Sequence, residues 1–264
     1  MKQEQAQAQS VQSVNRVLDI MEALGAAPAG LSLSDLAAAT GLHASTAFRL
    51  MATLAARGFV MKDGGTGRYR LTLRMFEIGG RVSGVNQLLA VAAPLLDALA
   101  AEMLETVHLV RRAGDEVVYL YKAEPYQQQV RIGSYVGCRN PMYCTGVGKS
   151  ILALLPEQEV RAIWARSEIR AHTPKTIMDY DRLTAELALT RQRGYALDEE
   201  EHESGVRCLA VAICGAGGTP EAAVSVSAPV FRMDEAMQAR IYPLLRTLAA
   251  QLGTFFGAVA QPEA

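Results

Sequence analysis

The chain has 264 residues, half of them apolar and a fifth charged, with a formal net charge of −1; this is an ordinary globular composition, long enough for two domains with real cores. A near-neutral chain is no polycation, so any nucleic-acid surface must be a local patch. Four cysteines without a CxxC pair exclude a disulfide scaffold and predict no metal site, and no window of about 18 uninterrupted apolar residues predicts a membrane span.

Residues 1–10, MKQEQAQAQS, lack the apolar segment of a secretory signal and read as a disordered leader, with a reducing cytoplasm as the default compartment. From residue 13, Val14, Val17, Leu18, Met21 and Leu24 recur at helical spacing. Ser32 or Ser34 can cap a second helix that Gly41 stops, and a third runs to Gly58. Phe59 to Lys62, the turn DGGTG and RYRLT then read as a β-hairpin. Three helices and a hairpin over residues 11–73 form a winged helix-turn-helix. A Gly-interrupted helical stretch over 73–104 is read as a linker helix, 74–88, leading into a second domain over 89–260. There, strands are expected at VHLVRRA, EVVYLYKA, QVRIGSYV, VRCLAVAIC and AAVSVSAP, and helices at about 147–166, 179–193 and 234–256. Antiparallel strands with helices around them make an α+β domain.

At 100° per residue, Ala47, Leu50, Met51 and Leu54 fall on one side of the third helix, and Ser45, Thr46, Arg49 and Thr53 on the other. Hydroxyls and a guanidinium on one face suit base edges and phosphates of a major groove. In the hairpin Tyr69, Leu71 and Leu73 alternate with Arg68, Arg70 and Thr72. Between residues 40 and 75 only Asp63 opposes Arg49, Arg57, Lys62, Arg68, Arg70 and Arg74. This is the expected patch. Arg16 on the first helix joins Ser45, Thr46, Arg49, Thr53, Lys62, Arg68 and Arg70 as candidate DNA contacts.

CTGVGKSILALL, residues 144–155, resembles a phosphate loop. A Walker A sequence needs a glycine five residues before Gly148, and Tyr143 stands there. No buried strand precedes it, so nucleotide hydrolysis is not expected. The turn can still offer backbone N–H groups to a carboxylate.

SVNRVLDIMEAL, LSLSDLAAATGLHASTAFRLMATLAARGFV, GRYRLT, GYALDEEEHESGVRCLAVAI and AAVSVSAP together resemble the IclR family of bacterial transcriptional regulators, from about residue 11 to 258. The resemblance implies a winged helix-turn-helix, a linker helix and a GAF-like effector domain, acting on double-stranded operator DNA as a homodimer or tetramer, with no cofactor, catalytic residue or membrane. It implies effector contacts from Gly146, Val147, Asp198, Cys208, Ser225 and Ser227, a set suited to a small carboxylate. Arg131, His108 and Tyr143 are further candidates. The RNPMY sequence resembles the sugar-acid branch, that of the 2-keto-3-deoxygluconate regulators, while aromatic-acid regulators share the scaffold. Ala44 and Phe48 depart from the family, which has a basic or polar residue and a His there, so the operator read differs. Activation instead of repression stays open, as do an enzyme using Cys208 or Lys149 as nucleophile and a metal sensor using Cys and His.

Overall fold

The structure is a computed structural model that describes residues 11–81, 84–125 and 132–257. The chain divides into two compact units between positions 83 and 84. The leader, residues 1–10, and Arg131 lie outside the described residues.

The first unit holds α1 (Gln12–Gly25), α2 (Leu33–Thr40), α3 (Ala44–Ala56) and the antiparallel pair β1 (Val60–Lys62) and β2 (Tyr69–Leu71). Ser32 starts α2 with a capping box, its Oγ accepting from the Asp35 N–H at 3.1 Å while Asp35 accepts from the Ser32 N–H at 3.4 Å. Gly41, at φ 65°, ends α2 in the left-handed region and turns the chain into α3. The core is Ile20, Leu24, Leu36, Met51, Leu54, Val60 and Tyr69. The stripe expected on α1 is only partly buried, since Val14 and Leu18 are 53% and 50% exposed. From Ile20 the stripe spans about 160° of the helix, wider than its contacts with α2 and β2 cover. Leu73, expected to pack beside Tyr69 and Leu71, is exposed, because β2 ends at Leu71 and α4 (Arg74–Gly79) follows.

The second unit opens on α5 (Val85–Met103), so the stretch over 73–104 is two helices. Next come β3 (Thr106–Ala113), β4 (Glu116–Ala123), β5 (Arg139–Pro141), α6 (Gly146–Leu152), α7 (Glu157–Arg166), α8 (Tyr180–Arg193), β6 (Ala196–Glu199), β7 (Val206–Cys214), β8 (Pro220–Pro229) and α9 (Glu235–Gly253). The strands form one antiparallel sheet in the order β5-β4-β3-β8-β7-β6. Alternation gives it two faces. Val107, Leu109, Leu209, Val211, Val224 and Val226 pack with α5 and α9. Val110, Tyr119, Ala210 and Ala223 pack with residues of α6, α7 and α8. Helices on both faces bury the sheet between two apolar layers.

Two expected elements are corrected. The helix expected over 147–166 is α6 and α7, because Pro156 caps α7 and has no N–H to continue α6. The strand expected at QVRIGSYV is absent over 132–136, the remainder lying outside the described residues; β5 and β6 are too short to show alternation in the sequence. Among the described residues α5 is long and apolar enough to cross a membrane, but Leu88, Ala92, Leu96, Leu99 and Met103 are buried in the sheet core.

Candidate DNA-binding face and ligand cavity

On α3, Ala47, Met51 and Leu54 are buried and Leu50 half-buried, whereas Ser45, Arg49 and Thr53 are exposed and Thr46 half-buried. Thr46, Arg49 and Thr53 line a shallow groove with Ser13 and Arg16 of α1. The hydroxyls are partly committed. Ser45 Oγ lies 2.8 Å from His43 Nδ1, and Thr53 Oγ1 donates to the Arg49 carbonyl at 3.1 Å. Phe48, beside Arg49, is 56% exposed.

The balance of charge differs from the sequence count. Asp63 makes no ion pair with the cations; its Oδ1 accepts from Gly65 N, Thr66 N and Thr66 Oγ1 and closes the hairpin turn. Those bonds, with a smaller contribution from the Arg70 charge, hold its carboxyl below the usual range. The opposing groups are outside or at the edge of the patch. Arg68 donates to the Gly30 carbonyl at 2.8 Å and sits 4.0 Å from Asp35, and Arg74 pairs with Glu77 at 2.6 Å. Among the described residues no carboxylate pairs with Arg16, Arg49, Lys62 or Arg70.

In the second unit a cavity of about 320 Å³ opens on the sheet face toward α6. Gly146, Val147, Asp198, Cys208, Ser225 and Ser227 all line it. Strand register assembles them. Asp198 lies opposite Cys208, Cys208 opposite Ser227, and Ser225 opposite His108. Their neighbours in sequence, Leu197, Leu209, Val224 and Val226, point into the apolar core on the far side. Ser227 donates to Cys208 Sγ at 2.9 Å. His108, only a secondary candidate in the sequence, is central: its Nδ1 is 3.5 and 3.4 Å from Ser225 and Ser227 Oγ, and its Nε2 is 2.8 Å from Ser134 Oγ. Lys122 donates to the carbonyls of Ile132 and Ser134 at 2.9 Å and so fixes the segment that carries Ser134. Tyr119 packs edge-on against His108 at 5.2 Å. Tyr143 is not a lining residue; its hydroxyl donates to the Arg170 carbonyl at 2.8 Å.

Gly148 has a structural reason other than phosphate. A Cβ there would fall 2.3 Å from Met142 Cα, so α6 can approach the chain at Met142 only as glycine. Thr145 caps α6 by accepting from Gly148 N at 3.2 Å. The N–H groups of Gly146 and Val147 precede the first intrahelical bond. Lys149, where a phosphate loop has its ligand, is fully buried and held by Glu201, with Glu186 3.7 Å away.

Asp198 is buried, not a solvated member of the acidic run. Its Oδ1 accepts from the N–H groups of Glu201 at 2.7 Å and His202 at 3.4 Å. Glu200 takes a left-handed φ of 63° between them. Lys175 binds its carboxylate and Thr173 Oγ1 donates to its carbonyl at 2.6 Å, holding that turn. Burial and the Glu201 charge push the Asp198 carboxyl up to about 7, while burial lowers His108 to about 3 and His202 to about 4. Burial and Asp198 also push the Cys208 thiol up. His108, His202 and Cys208 are therefore neutral, and Asp198 takes up or loses its proton near neutral pH. A thiol held protonated is no nucleophile, and a buried, ion-paired Lys149 cannot reach the cavity. Neither residue proposed for an enzyme is equipped for it.

The chain matches a family model described as IclR helix-turn-helix domain over residues 13–64 and one described as bacterial transcriptional regulator IclR C-terminal over residues 81–254. It is 33% identical over 251 residues to the HTH-type transcriptional regulator KdgR of Dickeya chrysanthemi, covering 95% of this chain and 82% of that protein. It is 32% identical over 259 residues to the DNA-binding transcriptional repressor YiaJ of Escherichia coli (strain K12), covering 97% and 92%. An IclR homologue from Microbacterium hydrocarbonoxydans, solved in complex with 4-hydroxybenzoate, has the same fold at a TM-score of 0.80 and 23% identity, covering 93% of this chain and 99% of that one.

Proposed function

The chain belongs to the IclR family of DNA-binding transcriptional regulators, not to an enzyme family, and from that premise we propose that it represses a catabolic operon until a small carboxylate enters the cavity of its second unit. The repressor reading draws on its likeness to YiaJ, which is named a repressor. Each winged helix enters a major groove of double-stranded operator DNA. Ser45, Thr46, Arg49 and Thr53 meet base edges, and Arg16, Lys62, Arg68 and Arg70 meet phosphates. Arg68, tied to Gly30, contributes least. Two subunits make a homodimer over the half-sites of a near-palindrome, acting as the dimer or paired into a tetramer. The protein acts in the cytoplasm.

One observation carries the ligand reading: strands β3, β6, β7 and β8 bring His108, Asp198, Cys208, Ser225 and Ser227 to one cavity wall. Gly146 and Val147 supply N–H groups for the ligand carboxylate. An Asp198 titrating near 7 can be neutral beside that anion and donate to it. The Ser134, Ser225 and Ser227 hydroxyls suit a polyhydroxylated chain, which favours a sugar acid, as does the likeness to KdgR. The rings of Tyr119 and His108 in the same wall, with the 4-hydroxybenzoate bound by the structural neighbour, support an aromatic acid as the second reading.

The test is thermal unfolding of the protein against sugar acids, keto acids and aromatic acids, followed by operator release. A ligand at about a hundred times its Kd adds roughly 2.7 kcal/mol, a readily visible shift. It releases DNA only through differential affinity for the two states. Ser225→Ala with Ser227→Ala should leave operator binding intact and blunt the response; an unchanged response moves the ligand elsewhere.

A further inference from the structure

Behind the cavity wall, three side chains distant in sequence converge. Cys144 precedes α6 and is fully buried. His172 lies between α7 and α8, and His202 on the turn after β6. One ligating atom from each lies within 4.8 Å of the other two, and Cys144 Sγ is 3.8 Å from His202 Nδ1. The imidazole rings are 5.0 Å apart. The loops that carry them are braced before any ligand arrives: Thr176 Oγ1 donates to the Glu201 carbonyl at 2.6 Å and accepts from the His172 N–H at 3.0 Å.

We propose that Cys144, His172 and His202 bind a divalent transition-metal ion of the zinc class, with three protein ligands and an open fourth position. The donor types are the reason. One thiolate and two imidazoles suit a borderline-soft ion, and hard cations prefer oxygen. Zinc–sulfur and zinc–nitrogen bonds of about 2.3 and 2.0–2.1 Å put tetrahedral donors roughly 3.3–3.6 Å apart, so the cluster closes by side-chain rotation. His172 Nε2 is buried and has no hydrogen-bond partner among the described residues. A buried nitrogen of that kind calls for a ligand or water. The neighbouring thiol and second imidazole select a metal over a water. Burial and the charges of Asp198 and Glu201 push the Cys144 thiol up to about 12, which Lys149 partly offsets, so an incoming ion displaces the thiol proton as it binds. His202 also lines the cavity, so the ion would sit in the cavity wall. CxxC spacing, the sequence signature of a structural zinc site, is absent because each ligand comes from a separate segment. The assignment does not depend on which acid the cavity takes.

Cobalt(II) is the probe, added to the full-length protein after chelator treatment. The expected result is one equivalent bound, with a near-ultraviolet thiolate-to-cobalt band and the intense visible bands of four-coordinate cobalt, all lost on adding zinc. Cys144→Ser should lose the thiolate band, His202→Gln should lose stoichiometric binding, and Cys214→Ser should keep both. If Cys144→Ser does not fold by circular dichroism, His202→Gln and His172→Gln carry the test. Absence of stoichiometric binding to the unmodified chain would overturn the assignment, leaving water as the partner of His172. So would cobalt without a thiolate band, or a spectrum that survives the histidine variants, which would put the ion on other residues.

Discussion

The outer face of α3 and the cavity wall of β3, β7 and β8 are both polar surfaces on regular elements, yet they hold their polar groups in opposite ways. Arg49 is exposed and free of carboxylates. Its charge stays hydrated, so keeping it there costs the fold little. Asp198 and His108 are buried and Cys208 half-buried, and each has its proton affinity displaced in the direction of its neutral form. Each is satisfied by a neighbour that needs it in turn. A surface of the first kind is made of separable contributions. One of the second kind is a network in which function and stability share atoms.

The hardest way to break the contrast is at Lys149, which holds Glu201, the residue whose N–H holds Asp198. Lys149→Met leaves a buried carboxylate unpaired and should cost about 3–5 kcal/mol of stability. Lys149→Met with Glu201→Leu should recover much of that loss, read from chemical denaturation. If the single variant is as stable as the parent, the network is not one. Arg49→Ala is the counterpart on α3. It should weaken operator binding by about 1–3 kcal/mol and shift stability by no more than about 0.5 kcal/mol, checked by operator titration and a melt of the same sample. A large fall in Tm would erase the distinction between the two surfaces.

The pH dependence of stability sharpens it further. Asp198 titrates near 7 in the folded chain against 3.8 ordinarily, so between about pH 4 and 7 the folded state holds a proton the unfolded state has lost, and its contribution falls as pH rises. His108 and His202, lowered to about 3 and about 4, are neutral when folded and charged when unfolded below 6.5, so their contribution rises with pH across nearly the same window. Asp198→Asn keeps a carbonyl oxygen to accept from Glu201 N and removes the falling component. Urea unfolding should then show stability climbing with pH more steeply than in the parent, by up to about 1.4 kcal/mol per pH unit. An unchanged slope would mean that Asp198 is ionised in its cavity. The smallest effect is expected at Phe48, exposed beside Arg49. An apolar ring there suits a thymine methyl, and Phe48→Ala should lower preference at one base pair by roughly 1 kcal/mol, seen as a changed profile in operator selection.

Legibility in the sequence followed the length scale of the interactions. The helix-turn-helix showed because a cap, a left-handed glycine and a 100° rotation are local: Ser32, Gly41 and the Ala47–Met51–Leu54 line need no distant partner. The pairing of Ser225 with Ser227 on one sheet face was equally local, as were the four long strands. The partial exposure of the α1 stripe was not, because how much of an apolar arc is covered depends on what packs against it. Nor were the real partners of the cations, Gly30 and Asp35 for Arg68, which come from another element.

The sequence by itself determined the family, the two-part order of the chain, the alternating strands and the face of α3 that carries Arg49, because each rests on spacing along one segment. Tertiary structure alone decided that Asp198, Cys208 and Ser227 form one cross-strand row, that His108 on the flanking strand reaches Ser225 and Ser227, that Lys149 is an ion-paired core residue, and that Cys144, His172 and His202 meet. Those are matters of strand register and loop return. A shift of register by one residue would have sent every one of the row's side chains to the opposite face.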